Sequence, residues 1–307
     1  MSATLLAISQ QASREMGISA PATIISNSAQ YAVSLLNLVN GVGQQLVTEH
    51  PWQGIDIEYR FTTTYYQYTA TTTDGSTTIS SMSSTTGLTT SPTYFAVTGT
   101  GIETDTALVS VNAGAATAVL TRAATASGTV TLTFAQIRYA FPTDFDRLVD
   151  RTDWDKSQNW PIYGPETGQQ WQYLKSGFIA SSPIYRFRQL GSLFQIWPPL
   201  AANDYAGFEY ISSYWVAATG TTTLSKTAYA VDTDTAVFPD RLMIAGLKYR
   251  FAESQGMERA KAYAVEWQRQ LNIAKAADAG SPTLSLAPRP AVALVNYQNI
   301  PDSGYGT

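Results

Sequence analysis

The chain contains no cysteine. That removes disulfides, thiolate nucleophiles and Cys-ligated metals together. It has a single histidine, His50. Any Ser-His-Asp arrangement would have to use it, and no G-x-S-x-G elbow accompanies it. His50 sits before Pro51 and Trp52, where a helix should end, and is read as a packed helix-terminal residue. Charged side chains make up 14% of the residues, against roughly 25% in ordinary soluble domains. Neither G-x-x-x-x-G-K-[ST] nor G-x-G-x-x-G occurs, so no phosphate-cradling loop is written in the sequence. No apolar run approaches the ~18 residues of a membrane span. Residues 1–17 lack both a basic start and a sustained apolar stretch. The expectation is a soluble protein made in the cytoplasm, with no membrane partner.

The net charge is −4 and the isoelectric point about 5.0. No segment is strongly basic, which argues against tight general nucleic-acid binding. With so few charges, much of the surface must be Thr, Ser, Asn, Gln, Tyr and apolar groups. Such a surface suits packing against other protein, because few ions need desolvation on contact.

What the chain has in excess is threonine. Residues 62–137 hold 24 Thr and 8 Ser, but only four charged side chains, Asp74, Glu103, Asp105 and Arg122. Alternation at 94–99, 107–111, 117–121 and 129–139 reads as short strands. β-Branched Thr and Val favour a pleated backbone. Asp74–Gly75 and Asn112–Gly114 supply turns. An all-β module inserted into a hairpin is expected, with 55–61 and 134–141 pairing at its base.

Around the insert the periodicity changes. Leu5, Ile8, Ala12 and Met16 form a helical stripe ended by Gly17. Tyr31, Leu35, Leu38, Val42 and Leu46 form a second, starting near Ser26–Ser28 and stopped by Pro51. Pro142 should open a short helix to Val149, and Pro165 another to Tyr173 or Lys175. Runs at 184–189, 192–197 and 206–216 read as strands, the first two joined at Gly191. Residues 217–236 read as a loop or weak strand pair. The stretch 240–278 is the longest helical segment, broken at Gly256. Residues 279–307 hold repeated Pro and Gly yet carry Leu284, Leu286, Val292, Leu294, Val295, Tyr297 and Ile300. This composition predicts an extended arm that orders against a partner. The fold class is α+β. It comprises a helical body (1–53 and 239–278), a β-rich region (54–61 and 138–238), the Thr-rich module (62–137) and the arm.

Three clusters could carry chemistry. Asp144, Asp146, Asp150, Asp153 and Asp155 offer clustered oxygens, but the spacing of a calcium loop is missing. Arg147, Arg151 and Lys156 interleave them, as in an ion-pair network or an intersubunit contact. Glu166 and Glu209 are not placed across a cleft by anything in the sequence. Trp154, Trp160, Trp171 and Tyr173 could stack on sugars or bases, but read first as core and interface anchors. The candidate intersubunit residues are therefore Asp144, Asp146, Arg147, Asp150, Arg151, Trp154, Trp160, Trp171 and Tyr173. No catalytic residue, cofactor or metal is expected.

The stretch 141–155 (FPTDFDRLVDRTDWD), followed by 160–165 (WPIYGP) and 170–175 (QWQYLK), resembles head-to-tail adaptor (connector) proteins of short-tailed bacteriophages. The N-terminal helix pair, the motif EHPW at 49–52 and the helix from Arg241 to Ala277 fit the same pattern. The blocks 97–102 (VTGTGI) and 124–134 (ATASGTVTLTF) resemble β-modules inserted in virion proteins. The resemblance implies a non-enzymatic virion protein at the tail vertex. It implies a homo-oligomeric ring, usually dodecameric, between the portal protein and the tail nozzle or tube. DNA would pass through without specific binding, and the C-terminal arm would dock onto the portal. A decoration or receptor-binding protein and a cell-wall hydrolase are the alternative readings.

Overall fold

The computed structural model describes residues 2–176 and 185–278. The arm, with Leu284, Leu286, Val292, Leu294, Val295, Tyr297 and Ile300, lies outside the described residues. Mixed α and β structure is observed, with five α-helices and several small antiparallel sheets among the described residues.

Helix α1 spans Leu5–Met16 and α2 spans Gln30–Glu49. The Thr4 hydroxyl accepts a hydrogen bond from the Ala7 N–H, and Gly17 closes α1 in the left-handed region. Helix α2 starts from Ala29 without a side-chain cap, so Ser26 and Ser28 do not serve as expected. Strand β1 follows at Asp56–Thr62. The insert contains β2 (Tyr65–Thr72), β3 (Thr78–Ile79), β4 (Phe95–Thr98), β5 (Leu108–Asn112), β6 (Thr117–Leu120) and β7 (Gly128–Gln136). Then come β8 (Arg138–Ala140), β9 (Phe145–Leu148), β10 (Trp154–Asp155), β11 (Trp160–Pro161) and helix α3 (Gly168–Lys175). Strands β12 (Arg186–Leu190) and β13 (Leu193–Trp197) form the hairpin around Gly191. Strands β14 (Tyr205–Ser212), β15 (Val216–Ala217), β16 (Leu224–Lys226) and β17 (Thr235–Ala236) precede α4 (Asp240–Ser254) and α5 (Ala260–Asp278).

Helix α4 is buried on nearly every side, by residues that include Leu242, Ile244, Leu247 and Phe251. It needs no polar stripe because α1, α2 and α5 surround it. Two glycines allow the close approach. A Cβ on Gly43 would lie 2.2 Å from the Trp215 indole, and one on Gly246 2.5 Å from the Trp267 ring. Lys248 of α4 is itself buried. Its ammonium reaches Glu15 of α1 at 2.7 Å and Glu266 of α5 at 2.9 Å, tying three helices together.

The β-rich region differs from expectation in two places. Strand β1 does not pair with 134–141; it pairs with β14 from Asp56 opposite Ile211 to Thr62 opposite Tyr205. That register puts Ile57, Tyr59 and Phe61 beside Tyr210, Phe208 and Ala206, so two apolar faces merge into one core. Residues 134–141 divide instead. Phe134 enters the insert's core, while Tyr139 joins the aromatic core of Phe61, Phe187, Phe194 and Phe208. Residues 142–149 are not helical either. Strand β9 pairs with the end of β14, and Phe145 stacks on Phe141 at 3.8 Å. Tertiary pairing overrides the local proline signal here. The later short helix begins at Gly168 rather than Pro165, where Thr167 and Gln170 form a reciprocal capping box.

The insert closes on its own core of Ile79, Leu88, Phe95, Leu108, Leu120, Leu132 and Phe134. Two three-stranded sheets enclose it, ordered β2-β7-β4 and β3-β6-β5. Its two ends meet, because the Gln136 N–H donates to the Thr64 carbonyl at 2.9 Å. Links to the remainder include the Ile196 N–H to the Ile137 carbonyl at 2.9 Å, the Thr63 N–H to the Asp204 carbonyl at 2.8 Å and an ion pair of Lys175 with Asp105. Replacing residues 65–135 by a two-residue turn is expected to leave a soluble, cooperatively melting protein. Circular dichroism and thermal melting check this. Insoluble or molten product would show that the two parts depend on each other.

Candidate assembly surface

Strand β1 alternates strictly. Asp56, Glu58, Arg60 and Thr62 point to solvent while Ile57, Tyr59 and Phe61 face the core. The outward face continues across β14 with Tyr205, Gly207 and Glu209, and Gly207 lies opposite Arg60 on one side and Trp154 of β10 on the other. Three large rings stand out of this region: Trp154 at 38% exposed, Trp160 at 40% and Tyr205 at 38%. Beside Trp154 is an open hollow of about 490 Å³, lined also by Glu58, Arg151, Lys156 and Glu209.

Charges on this face are partly neutralised in place. Glu58 and Glu209 are directly opposite in register, an arrangement that alone would be repulsive. Lys156 and Arg60 both pair with Glu58. Those hydrogen bonds, Arg60 first, hold the Glu58 carboxyl down at about 2. A carboxyl ionised to that pH is unfit as a general acid. The Arg60 guanidinium also lies 6.0 Å from the Tyr205 ring centre. Trp, Tyr and Arg on a partly self-neutralised face are the residue types that anchor protein–protein interfaces.

The sequence-predicted residues separate. Trp154, Trp160 and Tyr173 are exposed, as are Asp146, Asp150 and Arg151. Trp171 is 3% exposed and packs within the chain. Asp144 is engaged internally, accepting hydrogen bonds from the Tyr210 hydroxyl at 2.9 Å and the Ser212 hydroxyl at 2.6 Å. Arg147 pairs with Asp146 at 2.6 Å and donates to the Val47 carbonyl at 3.0 Å, tying β9 to α2. Asp153 and Asp155 turn inward and are buried, each with one oxygen lacking a hydrogen-bond partner. Burial pushes the Asp153 carboxyl up to about 7, with Asp150 nearby acting the same way. Burial also raises Asp155. Among the described residues no group of three or more His, Asp or Glu side chains is placed to hold a metal ion. His50 lies 3.2 Å from Asp278 at the end of α5. Glu166 pairs with Arg186 and does not line the hollow.

Arg60, Glu58 and Tyr205 were not singled out from sequence. The alternation of 55–61 placed the first two on one face, but their partner strand lies about 150 residues away. No helix among the described residues is long and apolar enough to cross a membrane.

A protein-family model described as SU10 adaptor protein matches residues 100–292, well over half of the chain. The match runs from inside the insert through β14 and the exposed aromatic face to both C-terminal helices and the start of the arm. No curated protein matches the chain. The chain therefore belongs to the SU10 adaptor protein family, a structural adaptor family of bacteriophage virions.

Proposed function

We propose that the protein is a head-to-tail adaptor of a short-tailed phage, standing at the tail vertex between the portal protein and the tail nozzle or tube. Copies associate into a ring, a dodecamer in this reading, around a channel through which DNA passes without specific binding. The helical body (1–53 and 239–278) and the β-rich region (54–61 and 138–238) build the ring. The Thr-rich module (62–137) is carried on it. The arm, with Leu284, Leu286, Val292, Leu294, Val295, Tyr297 and Ile300, reaches the portal.

The observation that carries this reading is the family match combined with an exposed Trp154–Trp160–Tyr205 face on a chain poor in charge. Of the candidate subunit contacts, Asp146, Asp150, Arg151, Trp154, Trp160 and Tyr173 are the ones available at the surface. Asp144, Arg147 and Trp171 act by holding that surface in shape. A closed heterologous ring repeats one contact at every subunit, so modest anchors suffice. A net negative charge keeps phosphates from sticking to a channel wall.

The test is co-elution of the purified chain with the portal protein of the same phage. Full-length protein is expected to form a ring-shaped complex visible by negative stain. Protein lacking residues 281–307 is expected to stay folded and to bind the portal at least tenfold more weakly. Equal binding by the truncated form would overturn the role of the arm. Absence of any complex with the full-length chain would overturn the adaptor reading.

A further inference from the structure

The sheet β12-β13-β8 has two unlike sides. Residues 186–188 (RFR), 194–196 (FQI) and 138–139 (RY) alternate polar and apolar, so each strand sends its apolar side chains one way and its polar groups the other. Phe187, Phe194, Ile196 and Tyr139 enter the aromatic core. On the opposite side the register sets Arg188 against Gln195, and Gln195 against Arg138. The three side chains form one row across three strands, an amide between two guanidiniums. Strands lie about 4.8 Å apart, which separates the two arginine backbones by about 10 Å.

This row lacks acceptors. The Arg138 Nε and the Gln195 Nε2 are shut from solvent, and neither has a hydrogen-bond partner. Gln195 as a whole is 4% exposed. Arg188 is half-buried and has neither an ion pair nor a hydrogen bond among the described residues. The neighbouring cations differ. Arg186, two residues from Arg188, is paired with Glu166. Lys175 is paired with Asp105, and its ammonium lies 5.5 Å from the ring centre of Trp197. Trp197 is two residues from Gln195 and so projects from the same side of the sheet. Of the four cations on this side, two are paired with carboxylates and two are not, and the unpaired two flank Gln195. Buried donors without acceptors are rare in folded proteins. Where the orphans of a cluster are N–H groups and the excess charge is positive, the matching partner is an anion.

We propose that the Arg138–Gln195–Arg188 row binds a small tetrahedral oxyanion, phosphate or sulfate. A guanidinium presents parallel N–H groups to the oxygens of such an ion, and the Gln195 amide adds a donor between the two. The ion has to be small, because an amide 4% exposed is not reached by a duplex or by a folded partner. Bound there, it ties β12 to β8 across β13. Strand β8 is where the chain returns from the Thr-rich module, so the ion braces the root of that insert. The site does not depend on the adaptor reading.

Isothermal titration calorimetry of the full-length chain with phosphate tests this, at fixed ionic strength with chloride as the balancing ion. One saturable site is expected, from which sulfate displaces phosphate. Arg188→Gln removes a guanidinium that has no partner within the described chain. It is expected to bind phosphate about tenfold more weakly, or worse, with its circular dichroism unchanged. Gln195→Glu places a carboxylate between the two arginines. It is expected to abolish phosphate binding and to raise the melting temperature in phosphate-free buffer, because the acceptor then comes from the chain itself. Absence of a saturable phosphate site in the parent would overturn the proposal, as would parental affinity in either variant. No portal enters the assay, so failure here leaves the adaptor reading standing.

Discussion

Replacing Trp215 by alanine is expected to cost about 5 kcal/mol of folding stability, the upper end for a buried large aromatic. The side chain is fully buried. Its indole N–H donates to the Thr227 carbonyl at 2.7 Å, and its ring meets Tyr229 edge-on at 5.1 Å and stacks on Phe238 at 5.9 Å. Gly43 of α2 is pressed against the same ring. Alanine would leave a cavity bounded by a helix, a short sheet and the entry to α4, with an orphaned carbonyl that adds about 1–3 kcal/mol of its own. Domains commonly have only about 5–15 kcal/mol in total, so the variant should sit at the edge of unfolding at room temperature. Urea denaturation with tryptophan or circular-dichroism detection measures it. A loss under about 1 kcal/mol would mean that the body does not depend on this core.

The second large effect is a reversal of the usual acid dependence. Asp153 is 2% exposed, one of its oxygens has no partner, and burial pushes its carboxyl up to about 7. In the unfolded chain the same group titrates near about 3.9. Between those values the folded protein holds a proton that the unfolded chain releases. Stability therefore falls as pH rises from about 4 to about 7. Three units correspond to about 4 kcal/mol as an order of magnitude. Asp155, also raised by burial, pulls in the same direction. Glu58 works oppositely, but its contribution is lost only as pH falls from about 4.5 towards about 2. Asp153→Asn should accordingly match the parent at pH 4.5 and exceed it by up to about 4 kcal/mol at pH 8. Paired urea titrations at the two pH values decide the matter, and an equal gain at both would refute it.

How much of this was legible beforehand depends on the range of the contacts involved. The Leu5, Ile8 and Ala12 stripe with Gly17 gave α1 directly, and Gly256 (φ 62°) does separate α4 from α5. The Gly191 hairpin was equally visible, since its partners are adjacent in sequence. The partner of β1 was not. β14 lies beyond the whole insert, and nothing local distinguishes it from 134–141, which alternates just as well. The Asp144–Asp155 cluster shows the same limit within a shorter stretch. Its charge pattern suggested an ion-pair network or an intersubunit contact, yet the alternation through 153–155 turns Asp153 and Asp155 inward and Trp154 outward. Which face is inside is decided by the apolar side of β14, and that information resides elsewhere in the chain. Trp171 and Trp154 are likewise the same residue type with opposite placements.

The contact between Thr64 and Gln136 has a wider consequence. Strands that diverge from a hydrogen-bonded doorway, and enclose their own apolar centre beyond it, place little demand on what occupies the space between them. A body built this way is expected to accept, in place of its passenger, another compact unit whose termini lie one strand spacing apart. The same doorway is thus a natural grafting point for a reporter or an affinity module on an assembled particle.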